Sequence, residues 1–420
     1  MKKKIWLLRL RIPVFLMTGY LLVAQLSFAQ DCKTKASNKP SVLVRGTDDY
    51  FDFSHYTQKP AKWDVTKMKL QTGKVERWIK NRLTAFTGAR MLYYNSYWLD
   101  YEVSEGGTGN DVNFYRATGI KRFYSSKTMF FAYYCYDNNN NIQTEDESGS
   151  NVEVVFNNFF FSGLTKDAGV HTMNGVPVFG VIKKKRSEGR ADYYEQRVRN
   201  NATAEMYTTN DYILLRNSDQ PVFIPVTRKE YLGQLLKDVA AYSANETRQL
   251  TEMYNQNKQQ FEVEMKGYKE KDKSYTAEKE AKRRKWFEED QEKFKKVISK
   301  IKPDADAAAD VLKQYLKKPD EWLNRHFSIF YPFSSYTAGG VKQYLEGLDK
   351  STLSEGEEET AYEIVSVNPA YFDKKAGADS PQLIALHLQN GTYAHMLKVA
   401  NLIKQPGALA ALEAILNPGK

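Results

Sequence analysis

The chain of 420 residues has only two cysteines and five histidines, and it lacks the local signatures from which catalysis is usually read. No CxxC and no paired Cys/His spacing occurs, so zinc sites and thioredoxin-type redox chemistry have no ligand set to build on. GxSxG, HExxH, GxxxxGKS/T and a strand followed by GxGxxG are also missing. No nucleophile elbow, metalloprotease helix, phosphate loop or dinucleotide fold is therefore expected. Catalytic groups that meet only in the fold stay open, because triads and carboxylate pairs need not be local in sequence. Long apolar runs are scarce as well: beyond residue 29 none reaches the roughly 20 residues that a membrane-spanning helix needs.

What the sequence does carry begins with a leader. Lys2, Lys3, Lys4, Arg9 and Arg11 precede an apolar run from Ile12 to Ala24, and the small-residue site Ser27-Phe28-Ala29 follows. That is the layout of a secretory signal peptide cleaved between Ala29 and Gln30. The run is too short for an anchor, and Pro13 and Gly19 weaken it further. Ala29-Gln30-Asp31 does not supply the small residues that lipid attachment at Cys32 would need. The mature chain is expected to be soluble and exported, periplasmic or extracellular, with no transmembrane segment.

Removing the leader changes the charge argument. The formal charge of +10 includes five basic and no acidic residues from the leader, so the mature chain carries +5. The remaining bases are interspersed with acids, which makes nucleic acid a poor partner. Export also gives Cys32 and Cys135 a reason to pair, since an even cysteine count in an oxidising space invites a disulfide. Such a bond would close a loop of roughly a hundred residues and stabilise the fold by about 4 to 5 kcal/mol.

The composition, 42% hydrophobic and 27% charged, is that of a globular protein of two or three structural units. Between Trp63 and Phe223, runs rich in aromatic and β-branched residues alternate with Gly and Asn clusters. They read as strands: Met91 to Val103, Phe114 to Tyr124, Thr128 to Tyr136, Val152 to Phe161, Val176 to Lys183, Ala191 to Val198 and Tyr212 to Leu215. Asn174-Gly175 marks a hairpin turn. A helix over Gly73 to Phe86 is expected to cover one face, with Val75, Trp78, Ile79 and Leu83 at helical spacing.

Thr227 and Glu230 have capping-box spacing, and Val226 and Tyr231 stand where a hydrophobic staple would, so a helix is predicted from Arg228. Helical, heavily charged sequence then runs to Ile301, broken by a polar stretch from Lys269 to Ser274. A hairpin that projects by roughly 50 Å is the natural reading at about 1.5 Å per residue. After Pro303 a short helix, Asp304 to Leu316, is expected. Strands follow at Ser328 to Tyr331, Ala361 to Val367 and Gln382 to Leu388, with a last helix from Ala408 to Leu416.

Four regions result: a signal peptide over 1–29, a β-rich domain over 30–226, a charged helical hairpin over 227–302, and a mixed α/β region over 303–420 that could complete the first sheet. The fold class is α+β.

Few residues suggest chemistry. Tyr93, Tyr94, Tyr97, Trp98 and Tyr101 form the densest aromatic group and would stack on sugars if exposed, although half-buried strands also favour such residues. His387 and His395 flank Asn390-Gly391 and could face each other across a hairpin, without an evident third metal ligand. Asp137-Asn138-Asn139-Asn140-Asn141 fails the calcium-loop pattern, because Ile142 replaces the turn glycine and Ser148 the final glutamate. Lys282-Arg283-Arg284-Lys285 beside Trp286 reads as a solvated helix face or as a contact for an acidic partner or anionic lipid. No metal or cofactor is expected.

The Ala29-Gln30 junction, the segment Pro225-Val226-Thr227-Arg228-Lys229-Glu230-Tyr231-Leu232 and the segment Asn368-Pro369-Ala370-Tyr371-Phe372 resemble, in style, the uncharacterised exported proteins of Bacteroidota. The resemblance covers short motifs, implies export and an α+β organisation, and implies no activity. The expectation is a non-enzymatic binding or interaction module of the cell envelope with a protein or glycan partner. The alternative is an exported hydrolase with a non-local catalytic site.

Overall fold

The structure, a computed structural model, describes residues 35–52, 66–83, 87–99, 114, 117–120, 123–144, 150–160, 163–170, 172–199, 207–271, 275–329, 333, 335–350, 362–376, 380–390 and 407–416. Strands β1 (Val42–Arg45) and β2 (Asp49–Asp52) precede helix α1 (Thr66–Leu83) and the long strands β3 (Ala89–Leu99) and β4 (Phe123–Tyr136). Next come β5 (Ile142–Thr144), β6 (Ser150–Phe156), β7 (Thr165–Lys166), β8 (Thr172–Met173) and β9 (Val176–Ile182). The strands β10 (Lys184–Glu188), β11 (Ala191–Arg199), β12 (Tyr207–Arg216) and β13 (Phe223–Pro225) lead into the helices α2 (Arg228–Lys271) and α3 (Ala277–Tyr315). The chain closes with α4 (Asp320–Leu323), β14 (Ser328–Ile329), α5 (Ala338–Lys350), β15 (Tyr362–Val367), β16 (Leu383–Asn390) and α6 (Ala410–Leu416).

Among the described residues the large sheet runs β1-β3-β4-β6-β16-β12-β11-β10, with β2 beside β3 and β5 beside β4. It is antiparallel except at one edge, where β1 and β2 pair parallel with β3. Its middle strand, β16, comes from the far end of the chain and lies between β6 and β12. The smaller sheet runs β13-β15-β9-β7, so it too joins the two halves of the sequence.

Strand alternation decides which side chains meet which layer. One face of the large sheet presents Tyr93, Tyr97, Tyr124, Val154, Ile213 and Leu386 to Val75, Trp78 and Ile79 of α1 and to Leu412 and Leu416 of α6. Trp78 Nε1 donates to Ala408 O at 2.9 Å and ties the two covering helices together. The opposite face, with Tyr194, Tyr212, Leu214 and Ala385, joins a second core that contains β9, β15, α5 and the bases of α2 and α3. Residues from both faces of β15 are buried there, Ile364 on one and Val365 on the other, which places the small sheet between the large sheet and the helices.

Some elements differ from expectation. Phe114 to Ile120 is not a strand: Phe114, Ala117 and Thr118 are helical, and Phe114 is buried in edge-on contact with Phe159, Phe160 and Phe372. Aromatic content had mimicked strand propensity there, and packing decided otherwise. Helix α1 starts at Thr66, earlier than Gly73. Helix α3 continues through Pro303 instead of restarting after it. The Asn174-Gly175 turn forms as expected, both residues at positive φ (52° and 76°), the pairing that a type I′ hairpin requires.

Helix α2 starts as its capping box demands. Thr227 N donates to Glu230 Oε2 at 2.8 Å, and Glu230 N donates to Thr227 Oγ1 at 3.3 Å. Directly beside this start, Arg228 N donates to Arg325 O and Phe327 N to Val226 O, at 3.0 and 2.9 Å. The helical hairpin therefore leaves and re-enters the core at one place. Only its base is buried there: Tyr231, Leu232, Leu235 and Val239 from α2, and Ala305, Ala308 and Leu312 from α3. Farther out the two helices pack on each other, with Tyr254 stacked on Phe294 and Phe261 on Phe287, centroids 6.4 and 3.9 Å apart. From Tyr242 to Lys271 this arm is about 45 Å long.

Candidate functional site

Two places combine chemical groups in a way that packing alone does not require. The first is a polar row across the second face of the large sheet, assembled by strand register. Lys127 of β4 pairs with Glu153 of β6, Glu153 with His387 of β16, and His387 with Tyr212 of β12. Four strands thus contribute one residue each to a single line, and the line spans 260 sequence positions because β16 is inserted between β6 and β12.

Burial sets the electrostatics of this row. Lys127 Nζ lies 3.7 Å from Glu153 Oε2, with the side chains about 30% and 20% exposed. Burial raises the Glu153 carboxyl, and the Lys127 charge pulls it partly back. His387 stacks on the Tyr212 ring at 4.7 Å, and its Nε2 lies 3.2 Å from Asn210 Oδ1. Desolvation, followed by the Lys127 charge, pushes the imidazole down to about 4, so it is neutral at pH 7. With Nε2–H donating to the Asn210 carbonyl, Nδ1 is the basic nitrogen.

A second polar line flanks the first. Asn151 Nδ2 donates to Gln389 Oε1, Asn210 Nδ2 to Gln196 Oε1 at 3.3 Å, and Gln196 Nε2 to Tyr362 Oη at 3.1 Å. Tyr362 Oη in turn donates to Gly163 O at 3.1 Å. Gly163 has φ +94°, and a Cβ there would collide with Gln196 Oε1 and Tyr212 Oη, so only glycine allows the loop this close. A half-buried carboxyl, a neutral imidazole and several carboxamides could transfer protons or hold a polar ligand. Among the described residues no three His, Cys, Asp or Glu side chains converge on a metal position.

The second place is the outer end of the arm, where a cleft of about 480 Å³ is lined by Tyr268, Tyr275, Lys279, Lys282, Arg283 and Trp286. Tyr268 and Tyr275 stack at 5.8 Å, and the Arg283 guanidinium lies 3.9 Å above the Tyr268 ring. Tyr275 Oη donates to Met265 Sδ at 3.3 Å, which fixes the turn-side ring. Trp286 is 66% exposed. The neighbouring Arg284 is held by Glu262 and Glu280 at 2.8 and 3.1 Å, so of the four-residue basic run only Lys282 and Arg283 face the cleft, while Arg284 braces the two helices and Lys285 lies on another face.

The aromatic group marked in the sequence does not form an open surface. Tyr93 and Tyr97 are fully buried beneath α1, where Tyr93 Oη meets Thr72 O at 2.9 Å and Tyr97 Oη meets Thr72 Oγ1 at 3.0 Å. Their odd strand positions turn them into the core, so they present no ring to a sugar. Tyr94 is half-buried on the other face. Trp98 lies on β3, and its side chain is outside the described residues, as is all of Tyr101. Cys135 on β4 is disulfide-bonded; Cys32, the other cysteine, lies outside the described residues together with Ala29 and Gln30. His395 lies outside them too, so the pair with His387 is not described. Asp137 closes the β4–β5 hairpin, its Oδ1 accepting from Asn139 N and Asn141 N at 2.9 and 2.7 Å.

Sequence reading had not joined Lys127, Glu153, Asn210 and Tyr212 to His387. The only local signal was a charged residue on each of two strands otherwise rich in apolar and hydroxyl side chains. Comparison with family models, curated proteins and solved structures finds no match.

Proposed function

We propose that the protein is an exported, non-enzymatic interaction module of the cell envelope whose helical arm is the contact surface. The observation that carries this reading is the exposed apolar character of the arm. Tyr242, Met253, Val263, Tyr268, Trp286 and Val297 are all more than a third exposed, at 38% to 71%. Met253 follows Tyr242, and Val297 follows Trp286, by eleven residues, which is about three helical turns, so each pair shares one face of its helix. In an antiparallel helix pair, positions on the same flank of the shared seam fall on one side, and both pairs lie on that side, separated along it by polar residues that include Glu246 and Asp290. A continuous core does not need such exposure, and an interaction surface does.

The basic leader and its Ala29-Gln30 junction support export, and the modest charge of the mature chain disfavours nucleic acid. The test compares the full chain with a variant whose residues 246–300 are replaced by a short Gly-Ser turn. Circular dichroism is expected to show an intact β-rich core, and cross-linking in intact cells is expected to lose the adducts formed by the full chain. Identical adducts from both proteins would remove the arm from the function.

A second reading, an exported hydrolase, is favoured by the polar row alone. Glu153 and His387 would serve as its acid and base groups. Glu153→Gln would then abolish turnover of a hydrolysable ester or glycoside while leaving the fold unchanged; loss of no activity in a broad substrate screen would end this reading.

A further inference from the structure

Resting on the arm as contact surface, we propose that the cleft at its outer end binds an anionic saccharide, with a pyranose ring on Trp286 and its acidic substituent held by Lys279, Lys282 and Arg283. The lining carries both halves of the required chemistry. Trp286 offers an exposed ring face, with the stacked pair Tyr268 and Tyr275 forming an aromatic wall beside it, and pyranose rings present an apolar C–H face that packs on such surfaces. Among the described residues, three cations and no carboxylate complete the lining.

Among the described residues, two of the nearest acids are committed to other cations. Glu280 is engaged by Lys269 at 2.9 Å and by Arg284 at 3.1 Å, and Glu262 by Arg284 at 2.8 Å. Glu264 faces Arg283 from the other helix and offsets part of its charge, leaving Lys282 as the further cation for an acidic group. Arg283 is pre-positioned over Tyr268, so an arriving carboxylate or sulfate meets a guanidinium whose rotamer is already fixed.

Shape separates a saccharide from a membrane. The cleft is concave and, at about 480 Å³, of the size that holds one or two sugar rings. A bilayer would need a continuous apolar helix face, whereas Asp290 and Lys293 interrupt the stretch between Trp286 and Val297.

The experiment titrates the full chain with a galacturonate tetramer, its methyl ester and a sulfated disaccharide, following Trp fluorescence and calorimetric heat. The expected result is saturable binding of an acidic probe, weakened about tenfold by esterification, by Trp286→Ala and by Lys282→Glu, and weakened by added salt. Trp286 is exposed, so the variant should keep the parent's circular dichroism and melting temperature. No binding of either acidic probe at millimolar concentration, or binding that ignores both substitutions, overturns the proposal. So does tighter association with phosphatidylglycerol vesicles than with any saccharide, which would assign the tip to lipid. If Trp286→Ala abolishes saccharide binding but leaves the cellular cross-links unchanged, the saccharide site stands and the arm's partner contacts lie elsewhere on it. If cross-links require the arm yet no acidic saccharide binds, the arm reading survives and this inference fails.

Discussion

At the scale of single residues, the most informative group is His387. Its imidazole is held at about 4, against about 6.5 in an unfolded chain. Because the folded state resists protonation, the unfolded state takes up the proton first as pH falls, so stability is complete above about 6.5 and is lost between there and about 4. The loss attributable to this group across that range is on the order of 3 kcal/mol. Glu153 acts in the opposite sense: its raised carboxyl takes up a proton more readily when folded, so it returns some stability as pH falls through its folded value. Denaturant unfolding of the parent and of His387→Gln at pH 7 and pH 4.5 isolates the histidine contribution, and the variant is expected to show the flatter profile. None of this was readable from the histidine count. His387 lay in an expected strand, but its burial and its row mates Lys127, Glu153 and Tyr212 come from three other strands that register lines up with it.

At the scale of elements, the helical hairpin was the most legible part of the sequence. Thr227 and Glu230 announced its start, Thr276 caps its second helix by accepting from Lys279 N, and the charged i, i+4 pairs marked it as solvated. Pro303 misled, because a proline inside a helical pattern normally stops it. Here Ala305, Ala308 and Leu312 bury themselves on the far side of the proline, and that packing holds the helix together. Pro303→Ala restores the missing N–H and is therefore expected to stabilise helix α3 by about 1 to 2 kcal/mol, seen as a higher helix melting temperature by circular dichroism. The arm also contributes little to the core beyond Val239. Amides of residues 243–264 and 280–300 are expected to exchange with deuterium well before those of β16, whose Ile384 and Leu386 are fully buried between neighbouring strands. Uniform protection across both segments would show that the arm folds as one unit with the body.

At the scale of the whole molecule, the central position of β16 makes the two ends of the chain interdependent. A chain truncated after residue 380 loses the strand that joins β6 to β12 and is expected to be insoluble or protease-sensitive, whereas removal of residues 246–300 is expected to be tolerated. Limited proteolysis of the two variants distinguishes these outcomes. The disulfide at Cys135 adds a second long-range constraint on β4. Cys135→Ser is expected to lower stability by about 2 to 5 kcal/mol in denaturant unfolding, and a non-reducing digest is expected to yield one peptide containing both Cys32 and Cys135.

The sequence by itself determined what depends on neighbours along the chain: the strand periodicity, the capping box at Thr227, the Asn174-Gly175 turn and the charged faces of the two long helices. These follow from propensity, side-chain spacing and local hydrogen bonding, and they sufficed for the α+β class. Tertiary structure alone decided that Tyr93 and Tyr97 point inward, that Phe114 seeds an aromatic core instead of a strand, and that helix α3 runs through Pro303. It also decided that Lys127, Glu153, His387 and Tyr212 form one row, and that Trp286 shares a cleft with Tyr268 and Tyr275. The physical reason is shared: burial is set by partners far away in sequence, and for the strand residues Tyr93, Tyr97, Lys127, Glu153, His387 and Tyr212 a one-residue shift of register would have turned the side chain to the other face.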